Sequence, residues 1–91
     1  MKRVMLTYQV EQWKSARWQR DDRFYLCEVK EDLWSNWLVM RQWGGVSSGR
    51  WGAKETVCNS FAEAEALFDA VAKRREKRGY VLVEQKTAKE K

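Results

Sequence analysis

The sequence of 91 residues has no histidine, no proline and only two cysteines, Cys27 and Cys58. Without histidine, a Ser–His or Cys–His nucleophile pair and a histidine-containing metal site are both excluded. Two cysteines do not complete a structural zinc site, so we expect no metal and no other cofactor. Each cysteine lies in a strand-like run, which favours a reduced, half-buried thiol; a disulfide stays open only for a secreted protein.

Long hydrophobic runs are also missing. No stretch approaches the length of about 20 apolar residues that a membrane-spanning helix needs, and the N-terminus lacks a signal-peptide pattern. We therefore expect a soluble, cytoplasmic protein without a membrane partner. Carboxylates are scattered without an evident pair and no phosphate-cradling P-loop occurs, so a non-catalytic protein is expected rather than an enzyme.

Length and charge limit the remaining possibilities. A chain with 44% hydrophobic residues and six tryptophans is expected to form one compact, monomeric domain over residues 1–84, followed by a charged, flexible tail at residues 85–91. Lysine and arginine total 18 against 13 acidic residues, which gives a formal net charge of +5. This charge favours an anionic partner, nucleic acid or a membrane surface, although solubility alone accounts for it in many small domains.

Alternating apolar and polar residues indicate an antiparallel sheet. The pattern predicts strands at residues 3–11, 23–30, 37–43 and 50–58, and a short final strand at residues 80–83. Residues 13–22 break the alternation and are predicted to form a connection on the surface or a short helix. Turn-forming residues, Asp32, Ser35 and Asn36, stand between the second and third of these strands.

A single helix is predicted at residues 61–78. Ser60 and Glu63 form a capping box, apolar residues follow at helical spacing, and Gly79 stands where a left-handed C-cap is expected. Acidic residues lie early and basic residues late, which complements the helix dipole. The simplest fold for these elements is α+β, an antiparallel sheet of four to five strands with one helix packed on one face.

The stretch at residues 42–51 carries the clearest binding chemistry. Trp43 and Trp51 enclose a loop that holds three glycines, and glycine permits sharp turns and close approach to the main chain. A hairpin tip here would present a planar apolar surface, backbone N–H groups and the cation Arg50. For Trp43, stacking on a base and a core position that anchors the loop both stay open, whereas Trp51 is the better candidate for exposure.

Two basic clusters lie outside this loop. One follows the predicted helix to its end, where it either binds phosphate or complements the helix dipole; its residues are Lys73, Arg74, Arg75, Lys77 and Arg78. The other mixes basic residues with tryptophans, and it either binds single strands or ends, or covers the edge of the sheet; its residues are Trp13, Lys14, Arg17, Trp18 and Arg20. Both interpretations of each cluster stay open at this point.

An ordered set of residues resembles the WGR domain family, whose name comes from a Trp-Gly-Arg motif. The set spans residues 23–83 and comprises Phe24-Tyr25, Trp37, Trp43-Gly44, Gly49, Phe61, Ala64 and Lys77-Arg78-Gly79-Tyr80. The resemblance implies an antiparallel sheet with one helix and, as in poly(ADP-ribose) polymerases, contact with DNA at strand breaks. The third motif position is Gly45 here, so Arg41, Arg50 or the basic end of the helix would have to replace the missing arginine.

The predicted function is a non-catalytic nucleic-acid-binding module that recognises DNA backbone, ends or shape rather than sequence. The candidate binding residues are Arg41, Trp43, Gly44, Gly45, Arg50, Trp51, Arg74, Lys77 and Arg78. The alternative is a protein-interaction or regulatory adaptor, in which the same loop and the sheet edge bind a partner protein. The missing arginine at Gly45 favours that alternative.

Overall fold

The computed structural model describes residues 14–87, which form one antiparallel sheet and one helix. The elements are β1 (Lys14–Arg20), β2 (Arg23–Glu31), β3 (Trp37–Gly45), β4 (Trp51–Cys58), α1 (Phe61–Lys77) and β5 (Val81–Thr87). The strand order across the sheet is β4-β3-β2-β1-β5. The predicted α+β class is confirmed, and the strand predicted at residues 3–11 lies outside the described residues, as does Trp13.

The predicted surface connection at residues 13–22 is wrong, because Lys14–Arg20 form β1 between β2 and β5. Trp18 is only 2% exposed and packs against Phe68, with ring centroids 6.4 Å apart. The basic residues of β1 conceal its alternation, because long basic side chains cover apolar surface while their charges reach water. Lys14 covers Phe68 with its Nζ atom 4.9 Å from the ring centroid, and its charge is paired with Glu65 at 3.1 Å.

The strands β2, β3 and β4 form the predicted meander. Both β2 and β3 begin at the predicted residue and run slightly further, whereas β4 begins one residue late, at Trp51. Asp32 closes the β2–β3 turn by accepting hydrogen bonds from the backbone N–H groups of Trp34 and Asn36 at 2.8 and 2.9 Å. The Asn36 N–H holds the pKa of Asp32 below its usual value, so the turn is closed by a carboxylate.

The start of α1 has the predicted cap with one difference. Ser60 is the N-cap, and its Oγ accepts a hydrogen bond from the Glu63 N–H at 3.1 Å. Glu63 Oε1 accepts from the N–H of Asn59 at 2.7 Å, one residue before the N-cap, rather than from Ser60 itself. The two side chains therefore still satisfy backbone donors on both sides of the helix start.

The end of α1 directs the chain back to the sheet. The helix ends at Lys77, one residue before the predicted end, and Gly79 has the expected left-handed backbone with φ +85°. The N–H of Tyr80 donates to the Arg75 carbonyl at 2.9 Å, which is the bond expected when a helix ends in a Schellman motif. This bond fixes Tyr80 beside the last turn of α1.

The hydrophobic core lies between α1 and one face of the sheet. Its buried residues are Ala16, Trp18, Tyr25, Cys27, Val29, Trp37, Val39, Cys58, Ala64, Phe68 and Val71. Both cysteines are free, and burial raises the pKa of Cys27 to about 12. Burial and, after it, the Glu63 carboxylate raise the pKa of Cys58, so burial favours the protonated thiol at both cysteines.

The last strand is longer than predicted. β5 continues to Thr87, so residues 85–87 of the expected tail pair with β1 in the sheet. The pairing shifts register between Arg17 and Trp18, and every residue of β5 is exposed. Residues 88–91 lie outside the described residues.

Candidate nucleic-acid interface

A row of aromatic side chains crosses the sheet near the β3–β4 loop. Trp18 on β1, Tyr25 on β2 and Trp43 on β3 are opposite one another in register, and the next position in the row is Gly52 on β4. Tyr25 and Trp43 stack with centroids 6.0 Å apart and planes at 20°. A Cβ atom at Gly52 would lie 3.0 Å from the Trp43 indole, so this glycine makes room for the ring.

The neighbouring row on the same face carries positive charge. Arg41 on β3 is opposite Lys54 on β4, and Cys27 is its buried partner on β2. Within residues 14–87, the buried Nε atom of Arg41 has no hydrogen-bond partner. A buried donor without a partner is uncommon in folded proteins. Arg41 also lines the cleft described below, which is where its guanidinium could meet a ligand.

Arg75, in the last turn of α1, closes over the aromatic row. Its guanidinium carbon is 4.2 Å from the Tyr25 centroid and 5.0 Å from the Tyr80 centroid. Both distances are in the range of cation–π contacts, which orient the flat guanidinium. The Arg75 Nε is also buried without a hydrogen-bond partner in the described part of the chain. The helix end thus adds a second oriented guanidinium.

Together these residues line a cleft of about 890 Å³ between the end of α1 and the β3–β4 end of the sheet. Its basic side chains are Arg20, Arg23, Arg41, Arg50, Lys54, Arg75 and Arg78. Its aromatic side chains are Tyr25, Trp43, Trp51 and Tyr80. Among residues 14–87, seven basic side chains and one carboxylate, Asp22, line the cleft, so this lining is strongly electropositive.

The single carboxylate of the cleft holds the β3–β4 loop. Asp22 accepts hydrogen bonds from the Ser47 hydroxyl at 2.9 Å and from the Ser47 N–H at 3.2 Å. The Val46 N–H donates to the Asp22 carbonyl at 2.8 Å, and the Gly45 N–H donates to the Arg50 carbonyl at 3.0 Å. Asp22 therefore orders the cleft mouth, and its single negative charge offsets only a small part of the positive charge of the lining.

Comparison with models of known protein families identifies the family of this chain. A model of the WGR domain matches residues 8–89, which is most of the chain. This chain belongs to the WGR domain family. WGR domains are nucleic-acid-binding modules that are not catalytic by themselves. Searches of curated proteins and of solved structures gave no significant match.

This WGR domain brings most of the predicted site residues together. Arg41, Trp43, Gly44, Gly45, Arg50, Trp51 and Arg78 line the cleft, whereas Arg74 and Lys77 are exposed on α1 and do not. Trp43 is opposite Gly52 and Trp51 is opposite Gly44, so the two tryptophans start from different faces of the sheet, although both reach the lining of the cleft. Trp51 is 64% exposed and Trp43 40%, in agreement with the predicted order.

Several cleft residues of this WGR domain were not among the predicted site residues. They are Arg20, Asp22, Arg23, Tyr25, Ser48, Gly52, Lys54, Arg75 and Tyr80. Tyr25 is opposite Trp43 and Lys54 is opposite Arg41, so the correct strand pairing would have indicated both. Arg75 was predicted only as part of the basic run, and its contact with Tyr25 requires the packing of α1 on the sheet.

Two further observations concern the described part of this WGR domain. Within residues 14–87, no helix has the length and apolar character needed to cross a membrane. Over the same residues, no three histidine, cysteine, aspartate or glutamate side chains form a group that could hold a metal ion.

Proposed function

We propose that this WGR domain is a non-catalytic module that binds nucleic acid, preferably DNA, in the basic cleft between α1 and the β3–β4 end of the sheet. The observation that carries the proposal is the electropositive lining, in which seven basic side chains surround one carboxylate already engaged by the loop. Phosphates are the ligands that such a lining binds best. The module would act as a cytoplasmic monomer without a cofactor.

The arrangement favours recognition of backbone, ends or shape. The Arg75 guanidinium is oriented by its contacts with the Tyr25 and Tyr80 rings, and Arg41 lines the same cleft, so both can contact phosphate. Trp43 is 40% exposed beside Tyr25, so its free area can pack on a terminal sugar or base. Within residues 14–87, α1 presents only its C-terminal end to the cleft, so this part of the chain offers no helix face to read base edges in a major groove.

A titration with matched variants tests the proposal. Blunt, nicked and single-stranded DNA are titrated while tryptophan fluorescence is followed, at low and then at physiological salt. We expect saturable binding that weakens with salt, and Arg41→Gln should weaken it and reduce the salt slope by about one. Lys73→Gln removes the same charge from an exposed position outside the cleft and should change affinity little. Absence of binding at low salt, or equal effects of the two variants, would contradict the proposal.

The alternative is an adaptor that binds a partner protein, and one feature favours it. Leu33 and Trp34, at the β2–β3 turn, are 78% and 76% exposed although Asp32 holds the turn in shape. This turn is at the opposite end of β2 from the cleft, so a protein bound there would leave the cleft open. If DNA fails to bind and Trp34→Ala removes association with a candidate partner, the adaptor function is preferred.

A further inference from the structure

The turn between β1 and β2 lies at the cleft end of the sheet, next to the β3–β4 loop. It consists of two residues, Asp21 and Asp22, and Asp21 has a left-handed backbone with φ +53°. Aspartate adopts this conformation more readily than most residues other than glycine, and two-residue hairpin turns commonly need a positive φ. Because Arg23 at the start of β2 is opposite Gly45 on β3, the turn brings Asp22 beside the first residues of the loop.

Asp22 attaches the loop to this turn through both its main chain and its side chain. Its carbonyl accepts a hydrogen bond from the Val46 N–H at 2.8 Å. Its carboxylate accepts from the Ser47 N–H at 3.2 Å and from the Ser47 hydroxyl at 2.9 Å. The main-chain bond does not depend on the side chain at this position, so a substitution of Asp22 tests the carboxylate alone.

The same loop fixes the backbone of Arg50. The Arg50 N–H donates to the Ser48 Oγ at 3.1 Å, and the Arg50 carbonyl accepts from the Gly45 N–H at 3.0 Å. A Cβ atom at Gly44 would clash with that carbonyl, so the glycine allows the Arg50 main chain to lie close against β3. The Arg50 side chain is exposed and lines the cleft, and it therefore extends from a fixed point of the backbone.

The charge of Asp22 itself opposes the binding of an anion. Asp22 is the one carboxylate among the described residues that line the cleft, and it would repel a phosphate there. Within residues 14–87, no salt bridge joins Asp22 to any of the seven basic side chains of the lining. Its carboxylate is bonded to Ser47 of the loop instead. Neutralisation of a basic partner therefore does not account for Asp22, whereas attachment of the loop does.

We infer that Asp22 is a positioning residue for nucleic-acid binding. Through the β3–β4 loop it holds Arg50 where the guanidinium contacts a phosphate of DNA bound in the cleft. Fixing the loop before DNA arrives lowers the entropy that is lost when the loop and Arg50 become ordered on binding. This inference rests on the proposed function, and it means that the acceptor oxygens of Asp22 favour binding while its negative charge opposes binding.

Two substitutions of Asp22 separate these effects, because both remove the charge and only one keeps an acceptor. Asp22 has no positive φ, so alanine and asparagine both fit the turn. Asp22→Asn retains one oxygen that can accept from Ser47, and it should bind a blunt DNA duplex at least as tightly as the unaltered protein. Asp22→Ala should bind about fivefold more weakly than Asp22→Asn at physiological salt, since one hydrogen bond is typically worth that factor.

A double-mutant cycle shows whether Asp22 acts through Arg50. When Arg50→Gln is added to both Asp22 variants, the difference between alanine and asparagine should disappear, because the phosphate contact that the loop positions is already lost. Arg41→Gln is the matched control, since Arg41 lines the same cleft from β3 and lies outside the loop. In that background the fivefold difference should remain. A general loss of stability would give the same difference in both backgrounds.

The order of the loop is measured without DNA by backbone ¹⁵N relaxation of residues 46–50. Order parameters should fall below about 0.6 in Asp22→Ala and remain higher in Asp22→Asn. The inference is overturned if the two variants bind DNA alike, if their difference persists with Arg50→Gln, or if the loop is equally ordered in both. Should Arg41→Gln weaken binding while the two Asp22 variants bind alike, the cleft proposal stands and this inference alone is overturned. If the unaltered protein binds no DNA at low salt, the cleft proposal is overturned, and the role of Asp22 in binding with it.

Discussion

Gly45 lines the cleft and, by the resemblance of Trp43-Gly44 to the Trp-Gly-Arg motif, is predicted to stand where that motif carries arginine. Its backbone is not in the left-handed region, and a Cβ atom there would meet chiefly the Ser48 Oγ, at 2.7 Å. The Ser48 side chain can rotate away only by giving up the hydrogen bond that its Oγ accepts from the Arg50 N–H at 3.1 Å, so a side chain at this position is expected to cost about 1 kcal/mol. The cleft therefore has room for the missing arginine.

Gly45→Arg should strengthen DNA binding several-fold and increase the salt slope by about one, because it adds one phosphate contact to the cleft. The measurement is the dissociation constant for a duplex at several salt concentrations. Gly45→Gln has a long polar side chain without charge and is the matched control; it should leave the slope unchanged. Unchanged affinity in a folded Gly45→Arg protein would mean that this side of the loop does not face phosphates.

Alternation along β3 predicts the face on which each side chain lies but not its neighbour on β4. Alternation assigns Trp43 to the same face as Val39, and that face is the one that packs on α1. Alternation does not say which residue of β4 lies beside Trp43, because the pairing depends on the number of residues in the connecting loop. For that reason Gly52, which makes room for the Trp43 indole, was not recognised from the sequence.

At the scale of elements, the N-cap of α1 is the part of the fold whose energetic role is simplest to test. Ser60→Ala removes the acceptor of the Glu63 N–H and should lower the free energy of unfolding by about 1 kcal/mol. For a domain of this size the melting temperature should fall by roughly 4–8 °C. Ser60→Asp supplies another good N-cap acceptor and should restore stability; equal losses in both variants would show that the hydroxyl acceptor is not what matters.

The elements that were predicted well are those with a strong local signal. α1 has a capping serine, helical spacing and Gly79, and its bounds differ from the prediction by one residue at one end. β1 has no such signal, because Lys14 and Arg17 stand among its few apolar residues and their contacts with aromatic rings exist only in the folded protein. The long final strand was missed for a similar reason: β5 ends in polar residues and is held by pairing with β1.

At the scale of the whole molecule, charge is separated along the sheet. The cleft end carries the seven basic side chains, whereas β2 ends at Glu31 and is followed by Asp32. An anionic polymer that approaches this domain is therefore drawn to one end, and the net charge of +5 understates the local potential there. Net charge alone would attract the polymer but would not determine where on the domain it binds.

The basic run at the end of α1 can distinguish attraction by net charge from binding in the cleft, since only some of its members line the cleft. Arg78 lines the cleft, and Arg74, one turn earlier, does not. Arg78→Glu and Arg74→Glu change the net charge equally and disturb the helix dipole to a similar extent, so they form a matched pair. Any difference in their DNA affinities reflects position rather than overall charge.

We expect Arg78→Glu to weaken DNA binding at physiological salt by about tenfold or more and to reduce the salt slope by at least one, because it removes a phosphate contact and introduces repulsion. Arg74→Glu should weaken binding clearly only at low salt, because at about 0.15 M the Debye length of roughly 8 Å screens a charge outside the cleft. The dissociation constant of each variant is measured from 0.05 to 0.3 M salt. If both variants lose the same affinity at every salt concentration, the basic run acts through net charge. If neither variant loses affinity, the run serves solubility and helix stability instead of DNA binding.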